Sequence, residues 1–278
     1  VMEVMDNGVL SGYLGDWSPE FYGGERVQKL ERDWSEHYGT KHAVAVNSAT
    51  SGLNIGVGAA GVGPGDEVIV SPYSMSASAT CVLVYNAIPV FADILPDTFC
   101  LDPAAVRACV TSRTKAIVAV DLFGHPFDAD AIMAIGREHN LTVIEDAAQA
   151  YGASYWGRPA GTLADIGVFS LNVHKTIQSG EGGVCVTNDD RLAERLAGEM
   201  AGVAWEMRES FWLSERVEVS EAARRALEAD HPDGLLYGAE DPPAGAIVAP
   251  PLVPAAAPLP VAAAGSFRPC PGSRTSAP

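Results

Sequence analysis

The sequence predicts an α/β fold in which a mostly parallel, seven-stranded sheet is sandwiched by helices. Three observations carry this prediction. From about Ala43 to Asn188, short runs rich in Val and Ile recur seven times: "HAVAVNS", "DEVIVS", "IPVFADI", "KAIVAVD", "LTVIEDA", "IGVFSL" and "GGVCVTN". Most of them are continuously apolar, the pattern of strands covered on both faces. Longer segments of helical character separate most of them, which supplies the crossovers that parallel neighbours need.

In chain order, an N-terminal segment, 1–42, holds a helix over Glu25–His37. The large domain, 43–205, opens with the first strand and a helix over Ser51–Ala60. Further helices are expected over Ser76–Asn86 and Asp128–His139, each between two apolar runs. The link from "KTIQ" to "GGVCVTN" is too short for a helical crossover, so the last strand is expected to be antiparallel to its neighbour. A helix over Asp190–Gly202 follows. The segment 206–241 holds one more expected helix, Ser220–Ala229. The stretch 242–278 is dense in proline and alanine, which blocks helix and sheet alike, and is expected to be disordered or polyproline-like.

The bulk properties exclude several classes of function. The chain has 278 residues, a net charge of −17 and 47% apolar residues, so a sizeable core is within reach. No basic stripe exists, which argues against nucleic acid or an anionic membrane as partner. Five cysteines, at 81, 100, 109, 185 and 270, include no CxxC pair. A disulfide framework or zinc site is therefore not expected, and a cytoplasmic location is. No apolar run reaches membrane-spanning length.

In an open parallel sheet, ligands bind beyond the carboxyl ends of the strands. After the first strand, "NSATSG" (Asn47–Gly52) leads into a helix, so small hydroxyl residues meet free N–H groups there. That suits a phosphate, and equally an ordinary helix cap. The fifth strand ends in "VIEDAAQA", which puts Asp146 at the carboxyl edge and partly buried. A buried carboxylate needs a partner: a helix terminus, a metal or a protonated heterocycle. No His or Cys stands nearby at ligand spacing, so the metal is the weakest of the three. The sixth strand ends at Phe169–Ser170, with Lys175 five residues after the serine. A lysine in a site of low polarity has its amine form favoured and becomes a nucleophile able to form a Schiff base.

The segments "AVAVNSATSGL", "GPGDEVIVSPYS", "IPVFADI", "VIEDAAQAYGASYWGRPAGTLADIGVFS" and "HKTIQSGEGG" stand in the order and spacing of a known family. The sequence resembles the DegT/DnrJ/EryC1/StrS sugar aminotransferases, pyridoxal 5′-phosphate enzymes of fold type I, over roughly Val1–Gly202. The resemblance implies that Lys175 forms the Schiff base and that Asp146 pairs with the pyridine nitrogen. It implies Gln149 near the ring hydroxyl, and Thr50, Ser51 and Ser170 around the phosphate. It further implies glutamate or glutamine as amino donor, a nucleotide-linked keto-sugar as acceptor and a homodimer. A keto-cyclitol acceptor is the neighbouring alternative, and a non-catalytic remnant or interaction protein another. Some family members replace the lysine by histidine and dehydrate their substrate; here His174 precedes an intact Lys175, which favours transamination.

Two features depart from the family pattern. An aromatic residue often covers the cofactor ring after "VIVSP", but Ser76 holds that place here. Either nearby Tyr73 reaches the ring or the stack is lost. The family also continues into a substantial C-terminal domain, whereas here the resemblance fades near Trp205. A missing C-terminal domain, through truncation or a shifted reading frame, is the expectation.

Overall fold

The computed structural model describes residues 22–200, together with Asp6, Gly8 and Gly12. The expectations for 206–241 and 242–278, and for most of the first 21 residues, concern residues outside that range.

Helix α1 (Glu25–Tyr38) leads into β1 (His42–Val46), α2 (Ala49–Ala59), β2 (Glu67–Val70), α3 (Ala77–Leu83) and β3 (Ile88–Phe91). Then come α4 (Pro103–Cys109), β4 (Thr114–Val120), a single 3₁₀ turn at Leu122–Gly124, α5 (Ala129–His139) and β5 (Thr142–Asp146). A small hairpin, β6 (Ser154–Tyr155) with β7 (Arg158–Pro159), precedes β8 (Ile166–Ser170) and β9 (Gly183–Thr187). A helix over 190–200 follows.

Seven strands form one sheet in the order β1-β9-β8-β5-β4-β2-β3. The pairs β2–β3, β2–β4, β4–β5 and β5–β8 are parallel. Strand β9 runs antiparallel to both β8 and β1, as the short link before it requires. The seven runs read from the sequence are these seven strands.

Their continuous apolar character has a direct cause. Successive residues of a strand face opposite sides, and here each side is covered. Val68, Val70, Val118, Ile144 and Val168 pack on α2, α3 and the 190–200 helix, with Leu53, Val57, Val82 and Leu196. Ile69, Ile117, Ala119 and Val143 pack on α4 and α5 through Val106, Ile132 and Ile135. At the β8–β9 end that second side is closed by α1, whose Trp34 and Tyr38 meet Phe169, Val184 and Val186. Helix α2 lies very close to the sheet. A Cβ on Gly52 would stand 2.7 Å from Val168 Cγ1.

Two elements lie outside the sequence reading. Helix α4 begins at Pro103 after Asp102, whose carboxylate accepts from Ala104 N at 2.9 Å. The β6–β7 hairpin turns on Trp156 and Gly157, both left-handed at φ 50° and 81°. It contributes no strand to the main sheet. Helix α2 also starts two residues earlier than expected, because Ser48 caps it.

Candidate active site

Residues predicted for the site gather at the carboxyl edge of β1, β5 and β8. Asp146 closes β5 and is buried, 5% exposed. Its Oδ2 accepts from Ser78 Oγ at 2.9 Å, and its Oδ1 from Ala148 N at 3.2 Å. Burial pushes the Asp146 carboxyl above the ordinary carboxylate range; the Ser78 hydroxyl, the Ala148 amide and the charge of Lys175 oppose that rise. Lys175 and Asp146 therefore interact electrostatically, from β8's exit loop and the end of β5.

Lys175 is half-buried in a loop over 171–182 that is tied by its own hydrogen bonds. Leu171 N donates to Gly182 O at 2.9 Å, Val173 N to Gly180 O at 2.8 Å, and Lys175 N to Asn172 O at 2.9 Å. Asn172 Nδ2 reaches Glu181 Oε1 at 2.8 Å, and Asn172 Oδ1 accepts from the amide of His174, which is exposed, at 3.0 Å. The loop is a fixed platform for one amine.

Of the predicted phosphate site, Ser170 and the start of α2 both border Gly183. Val46 and Ser170 both pair with Gly183 in the sheet. A Cβ there would come within 2.8 Å of Phe169 O and 2.9 Å of Ala49 N, so only glycine lets β9 approach the start of α2 this closely. Ser51 N donates to Ser48 Oγ at 3.1 Å, so the helix cap takes that donor. Thr50 is exposed in the first turn, and Ser170 is buried, its Oγ accepting from Asn172 N at 3.3 Å. Both hydroxyl protons remain to be donated. Gln149 Oε1 accepts from Phe123 N at 2.7 Å, which leaves its amide NH₂ group as a donor.

Ser76 is exposed and directly precedes α3. The Tyr73 ring packs on Phe99, centroids 5.7 Å apart, and on Phe123 at 6.4 Å. Tyr73 stays half exposed beside these rings.

Sequence reasoning missed Ser78. It is fully buried, binds Asp146 and is itself bonded to Ser74 Oγ at 2.9 Å. No local signal marks it, since it is one of four serines within "SMSAS" and its flank. Only the packing of α3 against the end of β5 selects it.

The fold defines a class: an α/β large domain of the aminotransferase kind, with a buried carboxylate at the end of a parallel strand. The model of the DegT/DnrJ/EryC1/StrS aminotransferase family matches residues 16–212, and the chain belongs to that family. It is 46% identical over 173 residues to GDP-perosamine synthase of Caulobacter vibrioides, covering 62% of this chain and 47% of that protein. It is 45% identical over 185 residues to L-glutamine:2-deoxy-scyllo-inosose aminotransferase of Streptomyces lividus, covering 66% of this chain and 44% of that one. Among solved structures, NtdA of Bacillus subtilis with bound cofactor PMP superposes with a TM-score of 0.63 at 32% identity, over 70% of this chain and 42% of NtdA. The chain spans about half the length of the curated relatives it matches. No helix among the described residues is long and apolar enough to cross a membrane.

Proposed function

We propose that this chain carries the cofactor-holding part of a pyridoxal 5′-phosphate-dependent aminotransferase. The reaction moves an amino group from glutamate or glutamine to a nucleotide-linked keto-sugar. The observation that carries this reading is the buried Asp146, held by Ser78 and facing the charge of Lys175. The residues present fit the group. A buried carboxylate with no ion pair among the described residues suits a protonated ring nitrogen. The start of α2, with Thr50, Ser51 and Ser170 beside it, suits a phosphate.

In this reading Lys175 would hold the cofactor through its amine. Asp146 would pair with the protonated ring nitrogen, and the Gln149 NH₂ group would donate to the ring hydroxyl. When bound, the cofactor supplies an electron sink for the carbanion at the donor's Cα. Lys175 would act as general base and acid, taking the proton from the donor's Cα and holding it for return. The Asp146 carboxylate is fixed on both oxygens, by Ser78 and Ala148, so it is oriented before the ring arrives.

A keto-cyclitol is the second acceptor class, favoured by the 45% identity to an enzyme named for 2-deoxy-scyllo-inosose. A homodimer in the cytoplasm belongs to the same reading; exposed Tyr73, Met75, Phe99 and Phe123 offer apolar surface beside the site.

The test uses the full chain with added pyridoxal 5′-phosphate. Borohydride should fix one cofactor on Lys175, mapped by mass spectrometry, and Lys175→Arg should abolish the adduct. An adduct elsewhere, or none, ends the cofactor assignment. Glutamate or glutamine should then convert bound cofactor to its amino form; failure with both, with the adduct intact, identifies a non-catalytic remnant.

A further inference from the structure

Directly behind Asp146 lie two more carboxyls that the proposed reaction does not use. Asp121 follows β4, and Glu145 is the penultimate residue of β5; both are 0% exposed. Neither forms an ion pair among the described residues. Glu145 Oε1 accepts from Gly161 N at 2.5 Å and Oε2 from Leu163 N at 2.7 Å. Asp121 Oδ1 accepts from Phe127 N at 3.0 Å, but its Oδ2 is buried with no donor at all. Glu145 pairs with Ala119 in the sheet, two residues before Asp121, and Asp121 N bonds Asp146 O, so the two buried carboxyls are neighbours that interact.

As two anions, this pair would place like charges together out of water, with one oxygen orphaned. A single proton removes both faults, because an O–H to carboxylate bond is a strong one. The position of that proton follows from the donor count. Glu145 already receives backbone N–H groups on each oxygen, which favour its ionised form, whereas Asp121 receives one.

We propose that Asp121 is a positioning residue that works as a neutral acid: its Oδ2 carries a proton donated to the ionised Glu145. This bond clips the 121–127 loop to the end of β5. Asp121 N also donates to Asp146 O at 3.1 Å. Phe123, two residues on, is left-handed at φ 55° and gives its N–H to Gln149. The clip therefore sets the Gln149 donor and the backbone of Asp146 together. What it does for the cofactor rests on the function proposed above; the shared proton itself does not.

The other ionisable groups that face the pair are Asp146 on β5, Cys100 before α4 and Tyr38 on α1. None is a cation, so nothing among the described residues replaces the proton. The folded pair keeps it to higher pH than the unfolded chain, where carboxyls titrate near about 4. The folded state then binds more protons, and the pair's contribution to stability falls as pH rises above that range.

Asp121→Asn is the diagnostic variant, because its NH₂ can donate to Glu145 and its Oδ1 can accept from Phe127 without titrating. Between about pH 5 and about pH 9, its folding equilibrium should improve on the parent's by up to about tenfold per pH unit. A difference that stays flat with pH overturns the shared proton. Glu145→Gln turns an NH₂ group against a backbone donor and should be strongly destabilised. If Glu145→Gln is tolerated and Asp121→Asn is not, the proton resides on Glu145 and the assignment is overturned.

Infrared spectra of the cofactor-free chain at neutral pH give a second reading that needs neither stability nor activity. A protonated-carboxyl band that shifts on carbon-13 labelling of aspartate and disappears in Asp121→Asn is expected; its absence from the parent defeats the proposal. Finally, Asp121→Ala should bind pyridoxal 5′-phosphate about tenfold more weakly, the scale of one lost charge-assisted bond, and Asp121→Asn normally. Normal binding by Asp121→Ala would overturn the positioning role.

Discussion

Glu67 and Asp146 are both buried carboxylates, each 5% exposed, at opposite ends of the parallel strands. Glu67 opens β2 at the amino edge of the sheet. There Arg113 forms an ion pair with it and the Thr111 hydroxyl donates to it. Asp146 ends β5 at the carboxyl edge, where Ser78 and Ala148 donate and no ion pair exists among the described residues. One carboxylate is neutralised by the fold. The other is oriented by neutral donors and left short of positive charge, apart from the influence of Lys175. The Arg113 pair explains Glu67; in the function proposed above, Asp146 is a group held ready for a cation that the cofactor brings.

The largest expected effect tests that difference directly. Asp146→Ala should leave the borohydride adduct on Lys175 but lower the rate of the glutamate half-reaction by about a hundredfold or more, the scale of removing a preorganised electrostatic partner. A half-reaction at the parent's rate would mean that Asp146 is structural in the way Glu67 is.

The next effect comes from making Glu67 resemble Asp146. Arg113→Ala removes the cation and leaves the buried carboxylate with the Thr111 hydroxyl. Arg113 itself is mostly exposed, its side chain 59% accessible, so the loss should fall between that of a surface and of a buried pair, about 2 kcal/mol. The measurement is urea unfolding of both proteins at neutral pH. Cofactor binding should be unchanged, because the amino edge is remote from Lys175 along the strands. A change in cofactor affinity without a change in stability would reverse the roles assigned to the two ends.

How far this contrast was visible in the sequence depends on what each part is made of. All seven strands were legible because burial on both faces writes a continuous apolar run, and the reversed β9 was legible because its link is too short to cross over. The place of Asp146 at the carboxyl edge was legible because it closes such a run, and that of Lys175 because it follows the next run by five residues. Helix α4 was overlooked although Asp102-Pro103 is a start signal. The β6–β7 hairpin has no apolar alternation to announce it, only Trp156-Gly157 at its turn. Ser78 and the Asp121–Glu145 pair were out of reach for another reason. Their roles depend on which side chains meet across strands and helices far apart in sequence, here 68 residues for Ser78 and Asp146.

The smallest effect concerns Ser78, the counterpart at Asp146 of Thr111 at Glu67. Ser78→Ala deletes one hydroxyl donor from Oδ2 and keeps the Ala148 amide on Oδ1. In the parent that hydroxyl lowers the Asp146 carboxyl against the larger rise from burial. Without it the carboxyl moves further up, so a higher pH is needed to ionise it. The ionised form is the one that pairs with a protonated ring nitrogen. Cofactor affinity in the parent should therefore strengthen as pH rises through the Asp146 titration, and in Ser78→Ala the same rise should occur at higher pH. At neutral pH the loss should be about fivefold in affinity, near 1 kcal/mol. Titrating pyridoxal 5′-phosphate into each protein across pH, with absorbance as the readout, gives both curves. Coincident curves would show that the hydroxyl only fills space, and that the Ala148 amide alone fixes the carboxylate.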